Sequence, residues 1–180
     1  PKMPKYIGKI INHVSGFDKE ITKRFINDMA DFIQTRKKRR TAFLFQGTEG
    51  TGKGFLFTVV FNNIFGSDYC SQTDMHAFKG QFNSFLESNI YVLVNEISGN
   101  FSSHNENMST IEKIKIAITD EVIQIEGKGK DRYNGKNNCS FVFASNRDNA
   151  LVIPIDDRRF NVAPKQEEKI NETEWWLFDD

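Results

Sequence analysis

Long hydrophobic runs are missing from this chain. No stretch of about 18 apolar residues occurs and no signal peptide is visible, so neither a membrane span nor secretion is expected. Cysteine is scarce: Cys70 and Cys139 are the only two, and they carry neither metal-ligand spacing nor a disulfide framework. A reduced, cytoplasmic compartment is the expectation. Charge of one sign is missing too, since 24 Lys and Arg balance 24 Asp and Glu. No global field draws the chain to nucleic acid, and any such binding must come from local patches. Internal repeats are absent, which excludes a solenoid.

Aromatic residues are abundant instead. Seventeen Phe and 38% hydrophobic residues imply a folded chain rather than a disordered one. A length of 180 residues allows one domain with a substantial core. The chain opens Pro1-Lys2-Met3-Pro4 with no initiator Met, as expected of a segment of a longer polypeptide or of a processed chain.

Ile21, Phe25, Met29, Phe32 and Ile33 recur at helical spacing from Asp18 to about Thr35 and form one apolar stripe. Five consecutive cations follow, Arg36 to Arg40. They read either as a solvated helix end that complements the dipole or as a phosphate-contacting patch. Ala42 to Phe45, Ile90 to Val94 and Phe141 to Ala144 are apolar almost throughout, as strands buried on both faces must be. Helices are expected from Gly52 to about Asn63, from Met75 to Leu86 and from Ser109 to Thr119. Val122 to Glu126 alternates weakly, and Asn134-Gly135 within the polar stretch Asp131 to Asn138 is a hairpin-turn signal. Ala150 to Ile153 and Phe160 to Val162 flank a turn with Pro154, and a charged tail ends in Trp175, Trp176 and Phe178. The expected fold class is α/β: a three-layer P-loop NTPase core with a parallel sheet, an inserted β-hairpin and an N-terminal helical segment. The expected division is residues 1–40 (helical, with a basic end), 41–164 (core) and 165–180 (tail).

Between the first strand and its helix lies Gly47-Thr48-Glu49-Gly50-Thr51-Gly52-Lys53-Gly54. Strand, glycine-rich loop, lysine and helix is the arrangement that cradles a nucleotide triphosphate. Backbone N–H groups ring the phosphates, the helix N-terminus adds positive potential, and the lysine reaches the outer phosphates. Gly47, Glu49, Gly50, Thr51, Gly52, Lys53 and Gly54 are therefore the candidate ATP-binding residues. Gly54 stands where G-x-x-x-x-G-K-[ST] has the hydroxyl that ligands magnesium. The second strand ends in Asn95-Glu96, and a strand-tip acid can hold magnesium or orient the attacking water. Asn95 takes a place where a second acid is usual; an amide can hold a metal-bound water but cannot offset the metal's charge. Magnesium would be held by Glu96, indirectly or shared with Thr51. The third strand ends in Asn146, whose amide can hydrogen-bond a γ-phosphate or place the lytic water; it also reads as an ordinary turn residue.

Asp156-Asp157-Arg158-Arg159-Phe160 offers two arginines, either an arginine finger for a neighbouring subunit's γ-phosphate or a surface salt-bridge cluster. Lys128, Lys130, Arg132 and Lys136 lie in the polar hairpin before the third strand. They suit backbone contact with single-stranded DNA, with Tyr133 available for stacking, or else form a solvated charged turn.

Taken in order, these motifs resemble a superfamily 3 helicase domain, similar to those fused to phage and plasmid primase–polymerases and closest to the deep-sea vent phage type. The resemblance covers roughly Thr41 to Val162. Gly47 to Gly54 matches the Walker A motif, Val92 to Glu96 the Walker B strand, and Glu121 to Lys136 the DNA-binding hairpin region. Phe141 to Asn146 with Asp157-Arg158-Arg159-Phe160 matches the third motif and its following arginine. The resemblance implies an AAA+-like core, a hexameric homo-oligomeric ring, a covalently linked primase–polymerase domain, and ATP hydrolysis with Mg2+ coupled to translocation on single-stranded DNA. By the same match Lys53 would bind the β/γ-phosphates, Glu96 would be base or metal partner, and Asn146 would sense the γ-phosphate. Arg158 or Arg159 would reach in from the next subunit, and Lys128 or Lys130 would contact DNA. Two other readings stay open: a P-loop kinase acting on a small acceptor, and a nucleotide-gated oligomerisation or DNA-loading module with little hydrolysis.

Overall fold

The apolar runs become the centre of a parallel sheet. The computed structural model describes residues 4–80, 82–95, 104–129, 131–146 and 157–170. Its strands are β1 (Ala42–Gln46), β2 (Cys70–Asp74), β3 (Tyr91–Asn95), β4 (Val122–Ile125), β5 (Tyr133–Lys136), β6 (Ser140–Ser145) and β7 (Phe160–Val162). Five of them form one sheet in the order β2-β3-β6-β1-β7, every neighbouring pair parallel. β4 and β5 pair antiparallel as a separate hairpin.

Both faces of the sheet are covered, because successive residues of each central strand enter different cores. Phe43, Phe45, Tyr91, Leu93 and Val142 pack with helices α1 (Lys5–Val14) and α2 (Lys19–Thr35) on one side. Leu44, Val92, Val94, Phe141 and Phe143 pack on the other with α7 (His104–Thr119), through Ile111, Ile114 and Ile118. Phe25 of α2 is 1% exposed and meets Phe43 and Phe45 edge-on at 4.9 and 5.1 Å. Such pairs contribute about 0.5–1.5 kcal/mol each beyond the area they bury. Asp18 caps α2 by accepting the Ile21 N–H at 2.9 Å. Ile33, expected on the buried stripe, is 42% exposed, because the contact surface of α2 follows Phe25, Met29 and Phe32.

Several expectations change. The helix after the glycine loop starts at α3 (Lys53–Phe55), widens into a π-helical stretch from Leu56 to Phe61, and ends as α4 (Asn62–Phe65). The Asn62 N–H reaches back five residues to the Phe57 carbonyl, and the widening buries Leu56, Phe57, Val60 and Phe61 together. The single helix expected over Met75 to Leu86 is two short ones, α5 (His76–Lys79) and α6 (Phe85–Ser88). Gly80 closes α5, and Asn83 is taken by the hairpin: its amide donates to the Gln124 carbonyl at 2.8 Å and its oxygen accepts the Glu126 N–H at 2.7 Å.

Asn134-Gly135 is not the hairpin turn but lies inside β5, paired with Gln124 and Ile123. Gly135 is needed for room, since a Cβ there would stand 2.6 Å from Ile125 Cγ1. The turn lies between β4 and β5, where Gly129 takes a φ of +73°. Residues Ala163 to Ile170 run along the end of β1 and then along the glycine loop. Ala150 to Ile153 and the aromatic tail from Trp175 fall outside the described residues.

Candidate functional site

In an open parallel sheet, ligands settle beyond the carboxyl ends of the strands, where neighbouring connections leave in opposite directions. Here that point is the end of β1. The chain leaves β1 for the far edge at β2, returns through β3 and β6, and then crosses β1 to form β7. The glycine loop occupies this point, so the sequence puts its most permissive backbone where the topology opens a crevice.

Gly50 and Gly52 have φ of +85° and +84°, the left-handed region that side chains resist. Lys53 is folded back over the loop. Its ammonium donates to the Gly47 carbonyl at 2.8 Å, the Thr48 carbonyl at 2.9 Å and Thr51 Oγ1 at 2.9 Å. Burial pushes its pKa down to about 8, with Glu49 opposing the shift. Thr51 is fully buried, and its hydroxyl donates to the Thr48 carbonyl at 3.0 Å while accepting from Lys53. Both of those bonds hold the Thr51 hydroxyl inside the loop.

A cavity of about 430 Å³ opens beside the loop, lined by Glu49 to Phe55 together with Asn95, Ala144, Asn146 and Ile170. The structure thus brings the loop, the tip of β3 and the tip of β6 to one place. Asn95 donates one amide N–H to Gln72 Oε1 at 2.8 Å, which leaves its carbonyl oxygen and its second N–H to offer a ligand. Glu96 and Lys130 lie outside the described residues. Among the described residues no group of three His, Cys, Asp or Glu gathers to hold a metal. The donors at the cavity suit phosphate first. A magnesium ion would lean on phosphate oxygens and water, with Asn95 as a neutral partner.

Sequence reasoning missed one wall of the site. Ile170 and Gln166 sit in what reads as a charged tail, yet Gln166 is 3% exposed. Its N–H donates to the Gln46 carbonyl and its carbonyl accepts the Thr48 N–H, both at 2.9 Å. The Ile170 N–H donates to the Gly50 carbonyl at 2.9 Å. The strap is anchored behind by Gln166 Nε2 donating to the His13 carbonyl at 2.8 Å. A Cβ on Gly47 would stand 2.6 Å from the Gln166 carbonyl oxygen, so that glycine serves the strap. No local sequence signal announces this contact; only the identity of Gly47 hints at it.

The paired arginines separate by environment. Arg159 contacts Asp157 at 3.1 and 3.2 Å, and its backbone carbonyl accepts the Ala42 N–H. Burial pushes the Asp157 carboxyl up, but hydrogen bonds and charge from Arg159, with Lys115, outweigh it and hold the pKa below the usual range. Arg158 is exposed and has no ion pair among the described residues. Both precede β7, whose Phe160 pairs with Ala42 at the start of β1. They therefore lie about 15 Å, the length of a five-residue strand, from their own cavity. The three proposed DNA cations among the described residues do not form one cluster. Lys128 and Arg132 belong to the hairpin turn, Arg132 paired with Glu126, while Lys136 stands at the hairpin base opposite Val122.

Comparison with known proteins gives the chain its relatives. The family of unknown function DUF5906 matches residues 45–159, which takes in the loop, β3, β6 and both arginines. A DNA primase-polymerase of Nitratiruptor phage NrS-1 is 30% identical over 175 residues, covering 97% of this chain and 24% of that protein. Two apo structures of the NrS-1 C-terminal region align at 30% identity with TM-scores of 0.80 and 0.84. They cover 97% of this chain and 40% and 41% of theirs. The chain thus spans about a quarter of the phage primase-polymerase.

Proposed function

The chain belongs to the DUF5906 family and is homologous to the C-terminal region of the NrS-1 phage primase-polymerase, and from that premise we propose that it is an ATP-driven motor module of a DNA replication protein. The module is of superfamily 3 helicase type, built on an AAA+-like P-loop core, and works as a homo-oligomeric ring on single-stranded DNA beside a linked primase–polymerase domain. One observation carries the reading: the glycine loop, Asn95 and Asn146 line a single cavity at the switch point of a parallel sheet.

In this reading Gly50 and Gly52 turn their N–H groups toward the α- and β-phosphates, and the helical run from Lys53 to Phe65 adds its dipole. Lys53 leaves the Gly47 and Thr48 carbonyls for the outer phosphates, and Asn146 faces the γ-phosphate. Asn95 and Glu96 are the residues that would hold a magnesium ion, which would supply charge neutralisation to the bound phosphates. Arg158 serves the cavity of a neighbouring copy: of the two adjacent arginines it is the one with no ion pair among the described residues, and it lies at the opposite end of the sheet from its own loop. Work in the host cytoplasm belongs to the same proposal; among the described residues no helix is long and apolar enough to cross a membrane.

ATP turnover measured with and without single-stranded DNA tests the proposal. Turnover should rise with DNA, collapse in Lys53→Ala, and fall in Arg158→Ala only through the assembled species. Turnover unchanged by Lys53→Ala would overturn it. A second reading has its own observation: Gly54 offers no hydroxyl and Asn95 no charge, so the site can bind nucleotide yet hydrolyse it poorly. The chain would then be a nucleotide-gated assembly or DNA-loading module, recognised by ATP-dependent growth in solution mass without phosphate release.

A further inference from the structure

Two basic segments far apart in sequence meet on the side of the sheet away from the nucleotide cavity. Tyr69, Ile90 and Asn138 lie just before β2, β3 and β6, and a cleft of about 550 Å³ opens among them. It runs between the C-terminal end of α2 and the base of the β4–β5 hairpin. Arg36, Lys37, Lys38 and Lys136 line it, against the carboxylates of Glu87 and Glu121.

These charges are not equally committed. Lys38 donates to the Ala117 carbonyl and, at 3.0 Å, to the Cys139 carbonyl, so it helps hold the fold. The rest of the run after Lys38 is also tied, Arg39 to Asp28 and Asp31, Arg40 to Glu121. Both cleft carboxylates are engaged as well. Glu121 accepts from Arg40 at 2.7 Å, and Glu87 accepts the Tyr133 hydroxyl. The Glu121 carboxyl is held below its usual pKa by that Arg40 bond first, then with help from the nearby charges of Lys136 and Lys37. Arg36, Lys37 and Lys136 remain exposed and have no ion pair among the described residues. Tyr69 stands on the same wall and is 53% exposed.

We propose that this cleft is a second nucleic-acid contact, in which Arg36, Lys37 and Lys136 engage the phosphates of a single strand while Tyr69 stacks on an unpaired base. Exposed cations on a cleft wall make additive point contacts with a polyanion, whereas a free phosphate would need buried, converging donors. The aromatic ring beside them selects an unpaired strand, because a base inside a duplex has no free face to stack. Lys136 thereby moves from the hairpin contact to the cleft. The proposal rests on the proposed DNA role only for the choice of ligand, since it needs neither nucleotide nor turnover.

The test is fluorescence anisotropy with a labelled oligothymidylate of about twenty nucleotides, titrated without nucleotide over a salt series. The triple variant Arg36→Ala, Lys37→Ala, Lys136→Ala should bind about tenfold more weakly, with a log–log salt slope shallower by about 2, or 0.7 per lost phosphate contact. Tyr69→Ala should weaken binding several-fold and leave the slope alone. Lys128→Ala with Arg132→Ala should leave the cleft's share of the slope in place. ATP affinity of the triple variant should equal that of the parent, so loss of the ATPase reading would not by itself touch this one. Should the triple variant melt early, each single substitution, expected to flatten the slope by about 0.7, decides the matter. Parental affinity and slope in those variants would overturn the proposal. So would competition by polyglutamate as effective as by the oligonucleotide, which would mark an acidic-protein site, or a changed solution mass, which would mark an interface between copies.

Discussion

Raising the pH should loosen nucleotide binding through Lys53 and through little else at the site. In the free protein its ammonium is desolvated against the loop and satisfied by two carbonyls and a hydroxyl, with a pKa of about 8 against an ordinary 10.5. Phosphate oxygens would favour the charged form and raise that value, so binding takes up a proton wherever free Lys53 is neutral. The affinity is then at its full value below the free pKa and declines above it. Between about pH 7 and about pH 9 the protonated fraction falls roughly tenfold, and the ATP dissociation constant should rise by the same factor, about 1.4 kcal/mol. The linkage to folding has the opposite sense in pH. The unfolded chain holds the Lys53 proton more tightly, so the ammonium disfavours folding below pH 8, and that cost is relieved as pH rises from 8 toward 10.5. Isothermal titration calorimetry in buffers of different ionisation enthalpy reads both the constant and the proton uptake. Lys53→Met should bind more weakly at every pH with no slope. A flat wild-type profile, or the same slope in Lys53→Met, would refute the assignment of Lys53 to the phosphates.

Three further outcomes follow from local geometry. Gly54→Ser should be tolerated, because nothing lies within 4 Å of a Cβ there, and should raise the rate of phosphate release by supplying the hydroxyl that the loop lacks. Gly47→Ala, chemically as small a change, should lower stability by about 2–3 kcal/mol in urea melts, since its Cβ meets the Gln166 backbone and must break the strap. Asn137→Ala should cost about 2–4 kcal/mol. That buried amide donates to the Ala117 and Asp120 carbonyls at 2.8 Å each and accepts the Cys139 N–H, closing the end of α7. Thermal melting of that variant with the parental midpoint would contradict the count of lost bonds.

The parallel centre of the fold was legible because β1, β3 and β6 are buried on both faces, which demands unbroken apolar runs. The edge strand β2, Cys70-Ser71-Gln72-Thr73-Asp74, was not, since one of its faces meets solvent and its residues look like a loop. The turn of the hairpin was misread for a related reason. Asn-Gly signals left-handed backbone by composition, but Gly135 is there to admit the Ile125 side chain, a demand that only the packed hairpin makes.

By itself the sequence determined the α/β class and the position of the glycine loop, because strand periodicity and left-handed glycines are local physical constraints. Tertiary structure alone decided which distant residues share a site. Asn95 and Asn146 join the loop through strand order, and Gln166 and Ile170 close it through main-chain bonds that carry no side-chain signature in the sequence. Arg159 was drawn to Asp157 and Arg158 left open because one faces a nearly buried carboxylate and the other water. Such partnerships depend on distance and burial, quantities that exist only after the chain has folded.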